Sequence, residues 1–136
     1  MGSMSISGGG SMVPTFKFGK VNKEFFLELS SYSLSKQPKI ILAVYPCLAA
    51  NQKTVITYEL PSYDLRAYDA DFAFKRRHAL IRKSGRYLGM FQALTALKII
   101  KPTESGVVDN STLAVVCGLN LDSFVILPEE ISDTLD

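Results

Sequence analysis

Prolines stand at Pro38, Pro46, Pro61 and Pro102, and the stretch from Asp64 to Lys101 between the last two contains none. Proline cannot donate a backbone hydrogen bond and ends regular elements. The chain is thus divided into short apolar bursts on either side of one uninterrupted block. The block is dense in Ala, Leu, Arg and Lys, which favour helix. The flanks carry β-branched and aromatic residues in alternation, the pattern of strands.

Before the block, Phe16 and Phe18 flank Lys17, and Phe26, Leu27 and Leu29 run on into Tyr32 and Leu34. After the turn Ser35-Lys36-Gln37-Pro38, the run Lys39 to Tyr45 is continuously apolar and too short for a typical helix, so it predicts a central strand. Thr54 to Leu60 alternates, with Ile56, Tyr58 and Leu60 on one face. After the block, Thr103 to Ser111 reads as a polar loop, and Thr112–Cys117 and Ser123–Leu127 read as two strands of a hairpin.

Within the block, a helical wheel puts Phe74, Ile81 and Leu88 on one side and Lys75, Arg76, Arg82, Lys83 and Arg86 on the other. The apolar arc then shifts to Tyr87, Met90, Phe91, Leu94 and Leu97, so a break near Gly85 or Gly89 and two helices are expected. A β-hairpin using residues 72–74 and 79–81, with Arg76-Arg77 at its tip, remains open as the alternative. Strands grouped on both sides of a helical block imply an α+β fold: an antiparallel sheet of about five strands with a two-helix block on one face.

A chain of 136 residues, 47% hydrophobic and 21% charged, suits one domain with its own core; residues 12–127 are expected to form it. Residues 1–11 are Gly/Ser-rich and read as an appended tag and linker, expected to be disordered. Residues 128–136 form an acidic tail, expected to be mobile or a short helix docked by Ile131 and Leu135. No apolar run is long enough to span a bilayer as a helix. With no secretory signal and Cys47 and Cys117 in apolar runs without CxxC spacing, an intracellular location with free thiols is expected, cytoplasmic or nuclear, and peripheral membrane association is compatible with it.

Chemistry is sparse. The one histidine, His78, lies beside Lys75, Arg76 and Arg77 and is expected to be solvated or packed on a helix rather than catalytic. The serines lie outside any nucleophile elbow, and neither zinc nor EF-hand ligand spacing occurs. No enzyme, metal or cofactor is expected. Ser84 to Gly89 matches neither the P-loop nor the dinucleotide fingerprint, although a helix starting near Gly85 beside Arg86 could hold an anion.

Charge placement says more than the net charge of +2. Arg66, Lys75, Arg76, Arg77, Arg82, Lys83 and Arg86 fall between residues 66 and 86, with Phe74, Tyr87 and Phe91 near enough to offer stacking or partner contact. Such a segment suits phosphates of nucleic acid, nucleoprotein or anionic lipid headgroups. It also suits plain solvation of a helix, in which case an exposed strand edge or the apolar helix face of Met90, Phe91 and Leu94 would serve a protein–protein adaptor. The expected function is a non-enzymatic interaction or assembly module, self-associating or bound to a protein partner, with the basic segment as its anionic contact.

In outline, a small strand-rich domain with a basic segment and an extended N-terminal arm is similar to the matrix proteins of negative-strand RNA viruses, which implies a structural role in assembly. Their PPxY and PTAP-type strings are absent, the nearest being Leu60-Pro61-Ser62-Tyr63 and Pro102-Thr103-Glu104-Ser105.

Overall fold

The structure is a computed structural model and describes residues 13–20, 22–46, 52–61, 77–109 and 112–127. The described strands are β1 (Glu24–Ser31), β2 (Pro38–Tyr45), β3 (Lys53–Val55), β4 (His78–Arg82), β5 (Ile100–Asp109), β6 (Thr112–Leu119) and β7 (Phe124–Ile126). A 3-10 turn at Gly85–Tyr87 leads into one α-helix, α1 (Leu88–Ala96). The fold is α+β and mostly strand.

The strands form two sheets, ordered β3-β2-β1-β7 and β4-β6-β5. In the first, β1 and β2 are antiparallel from Glu24↔Tyr45 to Ser31↔Pro38, while β7 lies parallel to β1 from Leu27↔Phe124 to Leu29↔Ile126. Phe16 extends the β7 side of β1 by exchanging two backbone bonds with Phe25, of 2.9 and 2.8 Å. In the second sheet, β4 runs antiparallel to β6 from His78↔Gly118 to Arg82↔Ala114. The β5–β6 hairpin is interrupted between Pro102 and Gly106, an irregularity of the kind that blunts an edge strand.

Residues 56–58 join the sheets. Ile56 N donates to Ile40 O at 3.0 Å in β2, Arg82 N donates to Ile56 O at 2.9 Å, and Tyr58 N donates to Leu80 O at 3.0 Å in β4. One extended segment thus leaves the edge of the first sheet and continues along the edge of the second. Thr57, at the crossing, is fully buried.

The main core lies where the sheets and α1 meet. Leu27, Leu29, Ile40 and Phe124 from the first sheet meet Ala79, Ile81, Ile100 and Cys117 from the second and Met90, Phe91 and Leu94 from the helix. A smaller cluster of Leu60, Leu80 and Ala114, flanked by Tyr58, Val107 and Val116, covers the opposite face of the second sheet. Strand alternation explains the split: Ala79 and Ile81 point to one side of β4 and Leu80 to the other, and all three are buried.

Several expectations are corrected. There are two sheets rather than one antiparallel sheet, and the first is mixed because β7 is parallel to β1. Among the described residues one α-helix is present, Leu88–Ala96, and His78–Arg82, expected as helix, is strand because both faces of β4 are buried, so its apolar run has a sheet's reason rather than a helix's. The supposed polar loop after Pro102 is most of β5. β6 and β7 do not form a hairpin; they belong to different sheets, joined through a 3-10 turn at Leu121–Ser123. The tag-like stretch at 1–11, the acidic tail at 128–136 and the strand proposed at 72–74 lie outside the described residues.

Candidate anion-binding site

The C-terminal end of β4 builds the site. The pairing of Arg82 with Ala114 ends the β4–β6 ladder. The chain is then turned by two bonds to Leu113: Lys83 N donates to Leu113 O at 2.8 Å, and Leu113 N donates to Ser84 Oγ at 3.0 Å. Gly85 follows at φ +60, a conformation open to glycine without a Cβ clash. Tyr87 N closes the 3-10 turn on Ser84 O at 3.2 Å. This tight reversal folds Arg86 and Tyr87 back beside Arg82.

The outcome is an aromatic ring held by two guanidinium groups. Arg82 Cζ lies 5.4 Å from the Tyr87 ring centroid and Arg86 Cζ 5.1 Å from it. Arg86 Nη2 also donates to Tyr87 Oη at 3.2 Å. Arg82 is fixed further: its Nε donates to Thr57 O at 3.0 Å, and its Cζ stands 5.6 Å from the Tyr58 ring. Each Arg–Tyr contact at a partly exposed site contributes roughly 0.5–1 kcal/mol. More consequential here, the contacts hold two like charges together before any ligand arrives, which lowers the ordering cost of binding.

These side chains line a cleft of about 180 Å³ formed by Arg82, Ser84, Gly85, Arg86, Tyr87 and Thr112. Among the described residues no acidic side chain lines it, and the ion pair found among them, Lys53 Nζ to Glu28 Oε1 at 3.3 Å, involves neither arginine. With two guanidinium groups at its wall, the cleft is suited to an oxyanion such as phosphate.

Of the other described basic candidates, neither Lys83 nor Arg77 lines this cleft. Lys83 has its Nζ 5.2 Å from the Phe91 ring. Arg77 is exposed at the opposite end of β4, in a turn at φ 64. Arg66, Phe74, Lys75 and Arg76 lie outside the described residues. Phe91 is 3% exposed and fills the main core, which corrects its assignment as a stacking surface. Met90 and Leu94 are buried with it, so the apolar helix face is not open to an adaptor's partner.

Tyr58 and Thr112 are neighbours of the cluster that the sequence did not point to. Each lies far in sequence from one or more of its partners and reaches them only through the segment at 56–58 and the β4–β6 pairing. His78 is half-buried and packs over Gly118, its Nε2 3.8 Å from where a Cβ at that glycine would stand. Cys117 is fully buried, and burial pushes its thiol up to about 12, against a smaller opposing pull from Lys83. Among the described residues no group of three or more His, Cys, Asp or Glu side chains is placed to hold a metal, and no helix is long and apolar enough to cross a membrane.

No protein-family model matches the chain, and no curated protein or solved structure matches it.

Proposed function

We propose that this domain is a non-enzymatic binding module whose cleft at Arg82, Arg86 and Tyr87 takes phosphate groups of an anionic partner, single-stranded nucleic acid first among them. The reading is carried by two guanidinium groups fixed on one tyrosine ring in a cleft with no acidic lining among the described residues. A concave site admits one phosphodiester at a time and sets the neighbouring base beside guanidinium planes on which it can stack, a combination that suits single strands. A membrane surface is met better by a convex or flat patch of long lysines with apolar side chains to insert. Lys83 lies over Phe91 and is not among the residues lining the cleft, which agrees less well with such a patch.

The test is fluorescence anisotropy with a labelled single-stranded oligonucleotide, set beside sedimentation with phosphatidylserine vesicles. Binding that weakens as salt rises, and falls at least about tenfold in the double variant Arg82→Ala/Arg86→Ala, is the expected result. Equal binding by that variant overturns the reading. So does binding to vesicles alone.

Self-association is a second reading supported by one observation. Among the described residues β7 is the last strand of the first sheet, and an edge strand of this kind can accept a strand from another copy. Light scattering that reports a monomer at high concentration removes this reading and leaves the first intact.

A further inference from the structure

A second cationic cleft lies at the other end of β4. Arg77 in the turn before β4, Lys98 in the turn after α1 and Lys101 near the start of β5 converge on a space of about 350 Å³ above Ile99, Ile100 and Leu119. All three cations are exposed. Among the described residues no acidic side chain lines this cleft either.

Two features show it to be rigid. Leu119 N donates to Arg77 O at 2.8 Å, and Asn120 N donates to Ile99 O at 3.0 Å, so both turns are tied to the end of β6. The helix ends in a double closure, with Lys98 N donating to Thr95 O at 3.0 Å and Ile99 N to Leu94 O at 2.9 Å. In that motif the residue at the position of Lys98 adopts the left-handed conformation and is usually glycine.

Here lies the less expected feature. Arg77 at φ 64 and Lys98 at φ 63 both hold the left-handed conformation, as Lys36 does at φ 64 in the β1–β2 turn, and that conformation disfavours any residue with a Cβ. Glycine would fit either turn without cost, yet both positions carry a cation, and both face one cleft. Lys36 at φ 64 shows that a left-handed cation also occurs away from the cleft, so the cleft is marked by Arg77, Lys98 and Lys101 lining one space rather than by backbone conformation alone.

We infer that the Arg77–Lys98–Lys101 cleft is a second phosphate site, and that one single strand of nucleic acid engages it together with the Arg82–Arg86 cleft. The second half of this inference rests on the proposed function of the first cleft. Arg77 and Arg82 are separated by five steps along an extended chain, about 16 Å at ~3.3 Å per residue. A flexible polyphosphate crosses such a gap, whereas a mononucleotide does not. Binding at one end then raises the local concentration of phosphate at the other.

The experiment compares four proteins by anisotropy with an oligonucleotide of about 12 nucleotides, within the span of single-strand sites: the unmodified chain, Arg82→Ala/Arg86→Ala, Arg77→Ala/Lys98→Ala/Lys101→Ala, and Lys98→Gly. The triple variant is expected to bind at least about tenfold more weakly and to lose about 2 from the slope of log affinity against log salt, at ~0.7 per phosphate contact on a single strand. Lys98→Gly is expected to melt at a higher temperature while binding more weakly. A purely structural lysine would not produce that opposition. Circular dichroism establishes that each variant is folded. Affinity and slope unchanged in the triple variant, or affinity unchanged in Lys98→Gly, overturn the second site. Unchanged binding by Arg82→Ala/Arg86→Ala with loss in the triple variant overturns the first cleft and the shared strand, and leaves the second site standing.

Discussion

The side-chain amide of Gln37 pairs with the backbone of Leu60 as another strand would: Nε2 donates to Leu60 O at 2.9 Å, and Leu60 N donates to Oε1 at 2.8 Å. Gln37 is 1% exposed. Its pair anchors the end of the segment that links the two sheets to the β1–β2 turn, a turn closed by Tyr32 N donating to Gln37 O at 2.9 Å. The first cleft depends on that segment, since Thr57 and Tyr58 position Arg82.

Gln37→Leu keeps the volume and removes both bonds, leaving a buried N–H and a buried carbonyl without partners. At about 1–3 kcal/mol for each stranded group, the loss is expected to be about 3 kcal/mol. Urea denaturation with an unchanged m-value is the measurement. A loss below about 1 kcal/mol would mean that water reaches Leu60 in the variant and replaces the amide.

Thr57 holds the crossing from the inside. Its Oγ1 accepts from Ile40 N at 3.3 Å and shares a hydrogen bond of 3.1 Å with Tyr32 Oη. Burial raises the Tyr32 pKa above its ordinary value of 10.0, with Glu59 adding to the rise and the Thr57 bond and Arg82 opposing it. A raised phenol favours the folded state below the unfolded value, and that contribution disappears as pH climbs through the folded value. Stability is therefore expected to fall as pH rises above about 10. Thr57→Val is expected to cost about 1–2 kcal/mol and to move the Tyr32 titration, followed by ultraviolet absorbance, further upward.

Cys117 gives a cleaner signature. With its thiol pushed up to about 12 from 9.0, it is protonated across the neutral range and shielded from reagent. In a Cys47→Ser background a thiol reagent at pH 8 is expected to label the native chain only as fast as the chain opens, and the unfolded chain at once. Because the folded value is the higher one, stability is expected to decline between pH 9 and pH 12. Rapid labelling of folded protein would place the thiol at the surface and contradict the packing of β6.

The two arginines of the first cleft are expected to separate stability from binding. Arg82→Lys keeps the charge and loses the bond from Nε to Thr57 O and the planar contacts with Tyr58 and Tyr87, so it is expected to cost about 1 kcal/mol and to weaken oligonucleotide binding. Exposed Arg86, replaced by Ala, is expected to cost no more than about 1 kcal/mol and still weaken binding. Leu94→Ala, in the core beneath, is expected to lose about 2–5 kcal/mol with the affinity of the folded protein unchanged. Paired urea titrations and anisotropy measurements check all three.

Local pattern alone determined the strands whose environment is uniform along their length. β1 alternates, β2 carries a continuous apolar run rich in β-branched residues and stopped by Pro46, and α1 shows Met90, Phe91 and Leu94 on one face; each carries its structure in its own residues. The strong clustering of Arg82, Arg86 and Tyr87 was also legible, because they are close in the chain.

Only the tertiary structure decided the rest. His78–Arg82 looks helical because Ala79, Leu80 and Ile81 are all apolar, and a strand buried on both faces loses the alternation that marks a strand. β5 resembles a loop because an edge strand carries Pro102 and polar residues that an interior strand could not. The parallel placement of β7, the 56–58 segment shared by two sheets, and the convergence of Arg77, Lys98 and Lys101 depend on residues distant in sequence meeting in space. Periodicity reports what one element needs from its surroundings; which element supplies it is settled by long-range hydrogen bonding and burial, where no local pattern reaches.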